Sequence, residues 1–345
     1  MGLQLAYVSR AECQARCNDD VLGIATFNGT PPPPAGAVGI PVARVNVTVL
    51  PHEQQPLYEV WSAGRPGTSG QHGRVRFRRT EEMLFGCIAV AERDIEHCDP
   101  GATETSALHE ATAQVYGEVC ATLSAQGYPH LLRVWNYVPD INRDSGGTER
   151  YRQFNTARQR ALHASGRALS GPVPAASALG AVSDSPLVVY FLAGRLEPTF
   201  IENPRQVSAY HYPRQYGAHR PVFSRAALLR QSGSVTLFVS GTASIVGHRS
   251  LHVGDTVAQT RETLTNIQAL LEEANRRAHG ARFGLETLAY KVYVRRPADL
   301  PLIQSQLRAA LGSAAQIIYL QADICRQDLL VEIEATGICA LAAAA

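Results

Sequence analysis

The chain of 345 residues holds a single lysine, Lys291, against 31 arginines, and only two methionines and two tryptophans. Scarcity of lysine excludes chemistry that needs an ammonium at a set place, such as a Schiff base or the lysine-bearing phosphate loop. No run of 18 apolar residues occurs, so no spanning helix and no membrane partner are expected. With 32 basic and 30 acidic residues the formal charge is +2, which lacks the positive excess of a nucleic-acid binder. The first twenty residues carry Arg10, Glu12 and Arg16 and no apolar core of a secretory signal, which predicts a cytoplasmic protein. Seven cysteines (Cys13, Cys17, Cys87, Cys98, Cys120, Cys325 and Cys339) are odd in number and thinly spread, unlike a disulfide framework. Cys13 and Cys17 have no second Cys/His pair beside them, so no metal site is expected. HExxH, GxSxG, GxGxxG after a strand and paired CxxC are all missing.

What is present is a well-buried globular composition, 45% apolar and 18% charged. Gly64–Gly73 reads as a loop, and the small-residue stretch Ser165–Asp184 as a domain boundary. On either side of it the order of elements repeats at a spacing of roughly 150 residues. Strand Met83–Ala91, helix Thr105–Ser124 and strand His130–Val138 are matched by strand Ser234–Ser240, helix Asp255–Ala278 and strand Thr287–Val294. In the second helix Val257, Leu264, Ile267, Leu270, Leu271 and Ala274 follow the spacing of one buried face, with Asp255 as N-cap and Gly280 as C-cap. A helix over Asp299–Leu311 and strands Gln316–Leu320 and Leu329–Glu334 complete the second unit. These patterns predict two related α+β domains, 1–180 and 181–345, each a mixed sheet covered on one face by helices, with a site between them.

Three segments concentrate polar chemistry. A helical Glu149–Arg160 places Tyr151 and Arg158 on one face two turns apart, although a solvated arginine-rich helix has the same pattern. Tyr210–Arg225 gathers three tyrosines, two histidines and three arginines around two prolines, and reads as a loop of fixed turns suited to an anion. On Leu329–Glu334, alternation puts Leu330, Glu332 and Glu334 on one face and Leu329, Val331 and Ile333 on the other. A carboxyl in such surroundings has a raised pKa and suits general-acid work, whereas an edge strand with one wet face gives the same alternation.

WNYVPDINR (Trp135–Arg143) with ERYRQFNTARQRAL (Glu149–Leu162), VSGTASIVGH (Val239–His248) and ICRQDLLVEIEATG (Ile324–Gly337) resemble the chorismatase family in order and spacing. The last strand, VEIEATG, also resembles the YjgF-like (chorismate-mutase-like) fold. The resemblance implies two YjgF-like units and cleavage of the small molecule chorismate with release of pyruvate, by a cofactor-free monomer. It implies Glu332 as the catalytic glutamate and Tyr151, Arg158, Tyr212 and Arg225 as substrate-binding residues. Cys325, seven residues before Glu332, resembles the branch that makes 3-hydroxybenzoate, and Gly241 matches a position where active-site size differs between branches. The rival expectations are hydrolysis to a dihydroxycyclohexadiene carboxylate, an imine or enamine deaminase resting on VEIEA, and a non-enzymatic binder of small acids.

Overall fold

The computed structural model describes residues 2–52, 57–95 and 106–341; Cys98 and Thr105 lie outside them. One sheet has six strands, in spatial order Ala175–Ala181, His130–Pro139, Leu187–Gly194, Met83–Val90, Val75–Arg79 and Thr68–His72. The other has ten. Six of these, in the order Gln316–Gln321, Leu288–Val294, Val331–Ala340, Ser234–Ala243, Ala226–Gln231 and Thr199–Ile201, copy the first sheet strand for strand. In both sets of six, the first strand runs parallel to the second and the third is inserted antiparallel between the second and fourth. The duplication expected from element order is therefore present in the topology.

Five helices are described: α1 (Arg10–Arg16), α2 (Ala107–Gln126), α3 (Arg150–Ala164), α4 (Thr256–Arg277) and α5 (Leu300–Leu311). Val115 and Val119 of α2 and Phe154 of α3 are buried in one core with the six-stranded sheet, and Leu264 and Ile267 of α4 and Ile303 and Leu307 of α5 in another with the ten-stranded sheet. The uncovered faces of the two sheets meet in a third core containing Trp61, Trp135, Tyr190, Phe238 and Tyr293. The chain is thus an α+β protein in which each sheet bears helices on one face.

Strand pairing crosses the boundary expected at 180/181. Leu187–Gly194 is hydrogen-bonded on both sides by strands of the first repeat, so that repeat closes at residue 194. The strands Gln4–Val8, Tyr58–Ser62, Val21–Asn28 and Val42–Val49 extend the ten-stranded sheet of the second repeat, joining it where Val42–Val49 pairs with Gln316–Gln321. Ser165–Asp184 is correspondingly no linker. It contains the buried strand Ala175–Ala181, whose small side chains let the sheets approach: the Ala176 amide donates to Ser240 Oγ at 2.9 Å, and a Cβ on Gly180 would lie 2.6 Å from Asp323 Cβ. Gly64–Gly73 likewise holds strand Thr68–His72, paired with Val75–Arg79.

Helix α4 differs from its sequence pattern in two ways that bear on the site. Its N-cap is Asp255, as expected, but its C-cap is Ala278 rather than Gly280, and the Arg230 guanidinium donates to the carbonyls of Ala278 and of His279 just beyond the helix. Its buried face also includes Gln259, Thr263 and Asn266, which a hydrophobic period does not mark. Asn266 donates to the carbonyls of Ala243 and Ile245 at 3.0 and 2.9 Å. Gln259 accepts from the Leu330 amide and donates to Asp328 O, both at 2.8 Å. These amides fix the end of one strand and the loop entering another. Gly241 and Glu332 sit on those two strands.

Candidate active site

A cavity of about 550 Å³ opens between the repeats, within the usual size of a small-molecule site. The start of α3 supplies Tyr151 and Arg152, the proline-bearing loop supplies Tyr212 and Tyr216, and Arg225, Gly241, Cys325, Arg326 and Glu332 complete the polar lining. A recess of about 30 Å³ leads inward between Tyr151, Arg158, Ser177 and Glu332. Every site residue expected from the sequence thus lines this cavity or its recess.

Glu332 is the chemically distinctive group. Its strand alternates as expected: Val331, Ile333 and Ala335 enter the core under α4 and α5, while Glu332 and Glu334 face the opposite sheet. Burial, reinforced by the negative charge of Glu334, pushes the Glu332 carboxyl up to about 8 against the opposing charges of Arg133, Arg225 and Arg295. It is therefore an acid at neutral pH, as its setting led us to expect. Glu334 departs from that expectation. Burial raises it too, but Lys291 and Arg133 outweigh burial and hold it below the usual carboxylate range.

Gly241 sits where the backbone must touch the acid, since a Cβ there would lie 1.9 Å from Glu332 Oε1 and 3.0 Å from Ser177 Oγ. The missing side chain is thus what gives the carboxyl its room. Cys325 Sγ is 3.9 Å from Glu332 Oε2. Burial and the neighbouring Glu332 push the thiol up to about 12, so it is a neutral, weakly donating wall and not a thiolate nucleophile.

The two expected carboxylate forks are both buried, at 3% and 4% exposure for Arg158 and Arg225, and the Nε of each has no partner within the protein. Arg225 is held by Nη2 donating to Tyr212 Oη at 2.7 Å and to Val207 O at 2.9 Å. Arg158 lies over the Phe154 ring at 5.1 Å and donates to Asn155 Oδ1 at 3.2 Å. A buried guanidinium with a spare N–H is prepared for an anion, because leaving that donor unmet costs about 1–3 kcal/mol. The Tyr210–Arg225 segment has the fixed turns expected, with short helical turns at Ala209–His211 and Arg214–Tyr216.

Arg326 is a polar residue of the cavity that no sequence pattern marks. Its guanidinium stacks 4.1 Å from the Tyr216 ring and 5.2 Å from that of Tyr212, donates to His248 O at 2.9 Å, and leaves Nη2 buried without a partner. It follows Cys325 directly, but pattern cannot say which of 31 arginines a loop will turn inward.

The matches to known proteins agree with this geometry. Residues 59–193 match the family model described as chorismatase FkbO/Hyg5-like, N-terminal. A 3-hydroxybenzoate synthase of Streptomyces hygroscopicus is 36% identical over 324 residues, covering 91% of each chain. The chain belongs to the chorismatase family. A second member from the same organism, a chorismatase, is 37% identical over 86% of this chain and 83% of its own. The crystal structure of a chorismatase superposes with a TM-score of 0.83 at 33% identity, covering 97% of this chain and 98% of that one.

Proposed function

We propose that this chorismatase-family member converts chorismate to 3-hydroxybenzoate and pyruvate, with Glu332 as the general acid. The observation that carries the reading is a buried carboxyl, protonated near neutrality, at the floor of a cavity that, with its inner recess, is lined by two buried arginines with unmet donors. Chorismate bears one carboxylate on its ring and one on its enolpyruvyl ether. Arg158 and Arg225 receive these, and Tyr151 and Tyr212 orient the remainder. Glu332 delivers its proton to the methylene carbon of the ether, which leaves an oxocarbenium-like ether carbon and a glutamate anion. The neighbouring ring hydroxyl adds to that carbon to give a cyclic ketal. The ring-carbon bond to the hydroxyl oxygen then breaks, that oxygen leaves as the carbonyl of pyruvate, and loss of the ring proton beside the retained ether oxygen aromatises the ring and re-protonates Glu332, so that no water is consumed. Capture by water instead gives the dihydroxycyclohexadiene carboxylate.

Cys325 favours the first outcome, because a thiol against the acid narrows the space that an attacking water would need. Mass analysis of the product formed from chorismate tests this directly, since the benzoate is one water lighter than the diol. With the native enzyme the benzoate is expected, and the diol as sole product would overturn the assignment. Cys325→Ala is expected to raise the diol share, and an unchanged product ratio would reduce Cys325 to packing.

The pH profile depends on the same group. Glu332 must be protonated to act, so kcat/KM for pyruvate release is expected to hold through neutrality and fall as pH rises through about 8. Activity that kept increasing beyond that pH would exclude the role.

A further inference from the structure

Behind Glu332 the facing sheets enclose a cluster of charges that the reaction itself does not touch. Lys291, the chain's sole lysine, is fully buried and lies 2.5 Å from Glu59 Oε2 and 2.9 Å from Glu334 Oε1. Arg133, 1% exposed, donates to Glu334 Oε2 at 2.7 Å, and Trp135 Nε1 donates to Glu334 Oε1 at 2.6 Å. Tyr293 Oη also donates to Glu334 Oε2, at 3.2 Å. Glu59 accepts from Trp61 Nε1 at 2.7 Å. Burying four charges in an intersheet core costs several kcal/mol per ion unless each is well paired, and an apolar core would serve stability as well.

Ser177 connects the cluster to the cavity. Its hydroxyl donates to Glu334 Oε2 at 2.7 Å and accepts from the Gly241 amide at 2.9 Å, and Gly241 is the residue whose backbone abuts Glu332. Glu332 and Glu334 are two residues apart on one face of one strand. The strand register adds a contrast: Glu332 pairs across from Tyr293 and Glu334 from Lys291, and in the first repeat the positions paired in the same way with Tyr137 and Trp135 are Val188 and Tyr190. The acid pair exists in one repeat only, and Tyr190 of the other accepts from Lys291 Nζ at 2.8 Å.

We propose that Glu334 is a positioning residue whose carboxylate, kept ionised by Lys291 and Arg133, holds the neighbouring Glu332 carboxyl in its acid form for the reaction. The inference rests on the proposed role of Glu332 as proton donor. Other groups face Glu332 as well. Arg133 from strand His130–Pro139 of the facing sheet, Arg225 from the residue before strand Ala226–Gln231 and Arg295 from the turn after Leu288–Val294 favour its anion, while the Cys325 thiol and the phenols of Tyr151 and Tyr293 are neutral at pH 7. Against three cations, burial and one fixed anion keep the proton, and Glu334 is the one of these that a substitution removes without opening the pocket.

The test is a pH titration of the Glu332 carboxyl by infrared difference spectroscopy, taking each protein against its own Glu332→Gln counterpart, alongside the pH profile of pyruvate release. In Glu334→Gln the midpoint is expected to fall by about one pH unit, with the alkaline limb of kcat/KM following it, so that activity at pH 8 falls from about half to about a tenth of the plateau, a drop of roughly fivefold from the native enzyme. Glu334→Asp, which retains the charge, is expected to stay near the native midpoint. If Glu334→Gln fails to fold, Glu334→Gln with Lys291→Gln removes a positive charge with the negative one and leaves an amide to donate to Glu59, and a smaller movement in the same downward direction is expected, because the lost cation offsets part of the effect. An unmoved midpoint in the folded variant, whatever its rate, would overturn the proposal and leave Glu334 a structural ion. A shifted midpoint in a protein that releases no pyruvate would support the electrostatic coupling and refute the reaction instead.

Discussion

Glu332→Gln is expected to lower the rate of pyruvate release from chorismate by ~10²–10⁴-fold while leaving the fold and substrate binding largely intact. The amide keeps the shape of the acid and its clearance over Gly241, whose absent Cβ gives the side chain its place. It removes the proton that the enol ether needs. Because the native carboxyl is already neutral at pH 7, the substitution changes no charge there and disturbs Arg133, Arg225 and Arg295 little. A loss of rate with unchanged thermal stability and unchanged Kd for chorismate would identify a group acting in the transition state rather than in binding. Near-native release would dismiss Glu332 as the donor.

Arg225→Lys is expected to reduce kcat/KM by ~10–100-fold, mostly through KM. The native guanidinium fixes a geometry that a single ammonium cannot copy: Nη2 meets both Tyr212 Oη and Val207 O, and the buried Nε keeps a donor with no partner in the protein. A lysine keeps the charge but has one ammonium in place of a planar fork, so it cannot hold the tyrosine and the anion in a fixed relation. Losing one charge-assisted bond of ~1.5–3 kcal/mol corresponds to that range. Measured steady-state constants, with circular dichroism to confirm folding, decide the matter. Constants equal to the native ones would remove Arg225 from the substrate's carboxylate.

Much of the site was legible because its signals are local. The alternation in VEIEA marked both acids on one face, and the seven-residue spacing of Tyr151 and Arg158 placed them two turns apart on α3. The duplication was legible from element order alone. The extent of the repeats was not. Nothing in Leu187–Gly194 says that it returns between two earlier strands, and Ala175–Ala181 looked like a linker because the small residues that permit close sheet packing are also those of linkers. The opposite fates of Glu332 and Glu334 were also out of reach, for they depend on partners far off in sequence: Arg133 lies 201 residues from Glu334. Gln259 and Asn266 interrupt no period, yet they anchor the strand ends at the site.

Whether Glu332 drives cleavage of chorismate is decided by a pyruvate-coupled assay of the purified protein with chorismate, run beside Glu332→Gln. One pyruvate per chorismate consumed is expected from the native chain, with release by the variant reduced at least a hundredfold. A native chain that binds chorismate but releases no pyruvate above the buffer rate would refute that role, as would a variant that matches the native rate.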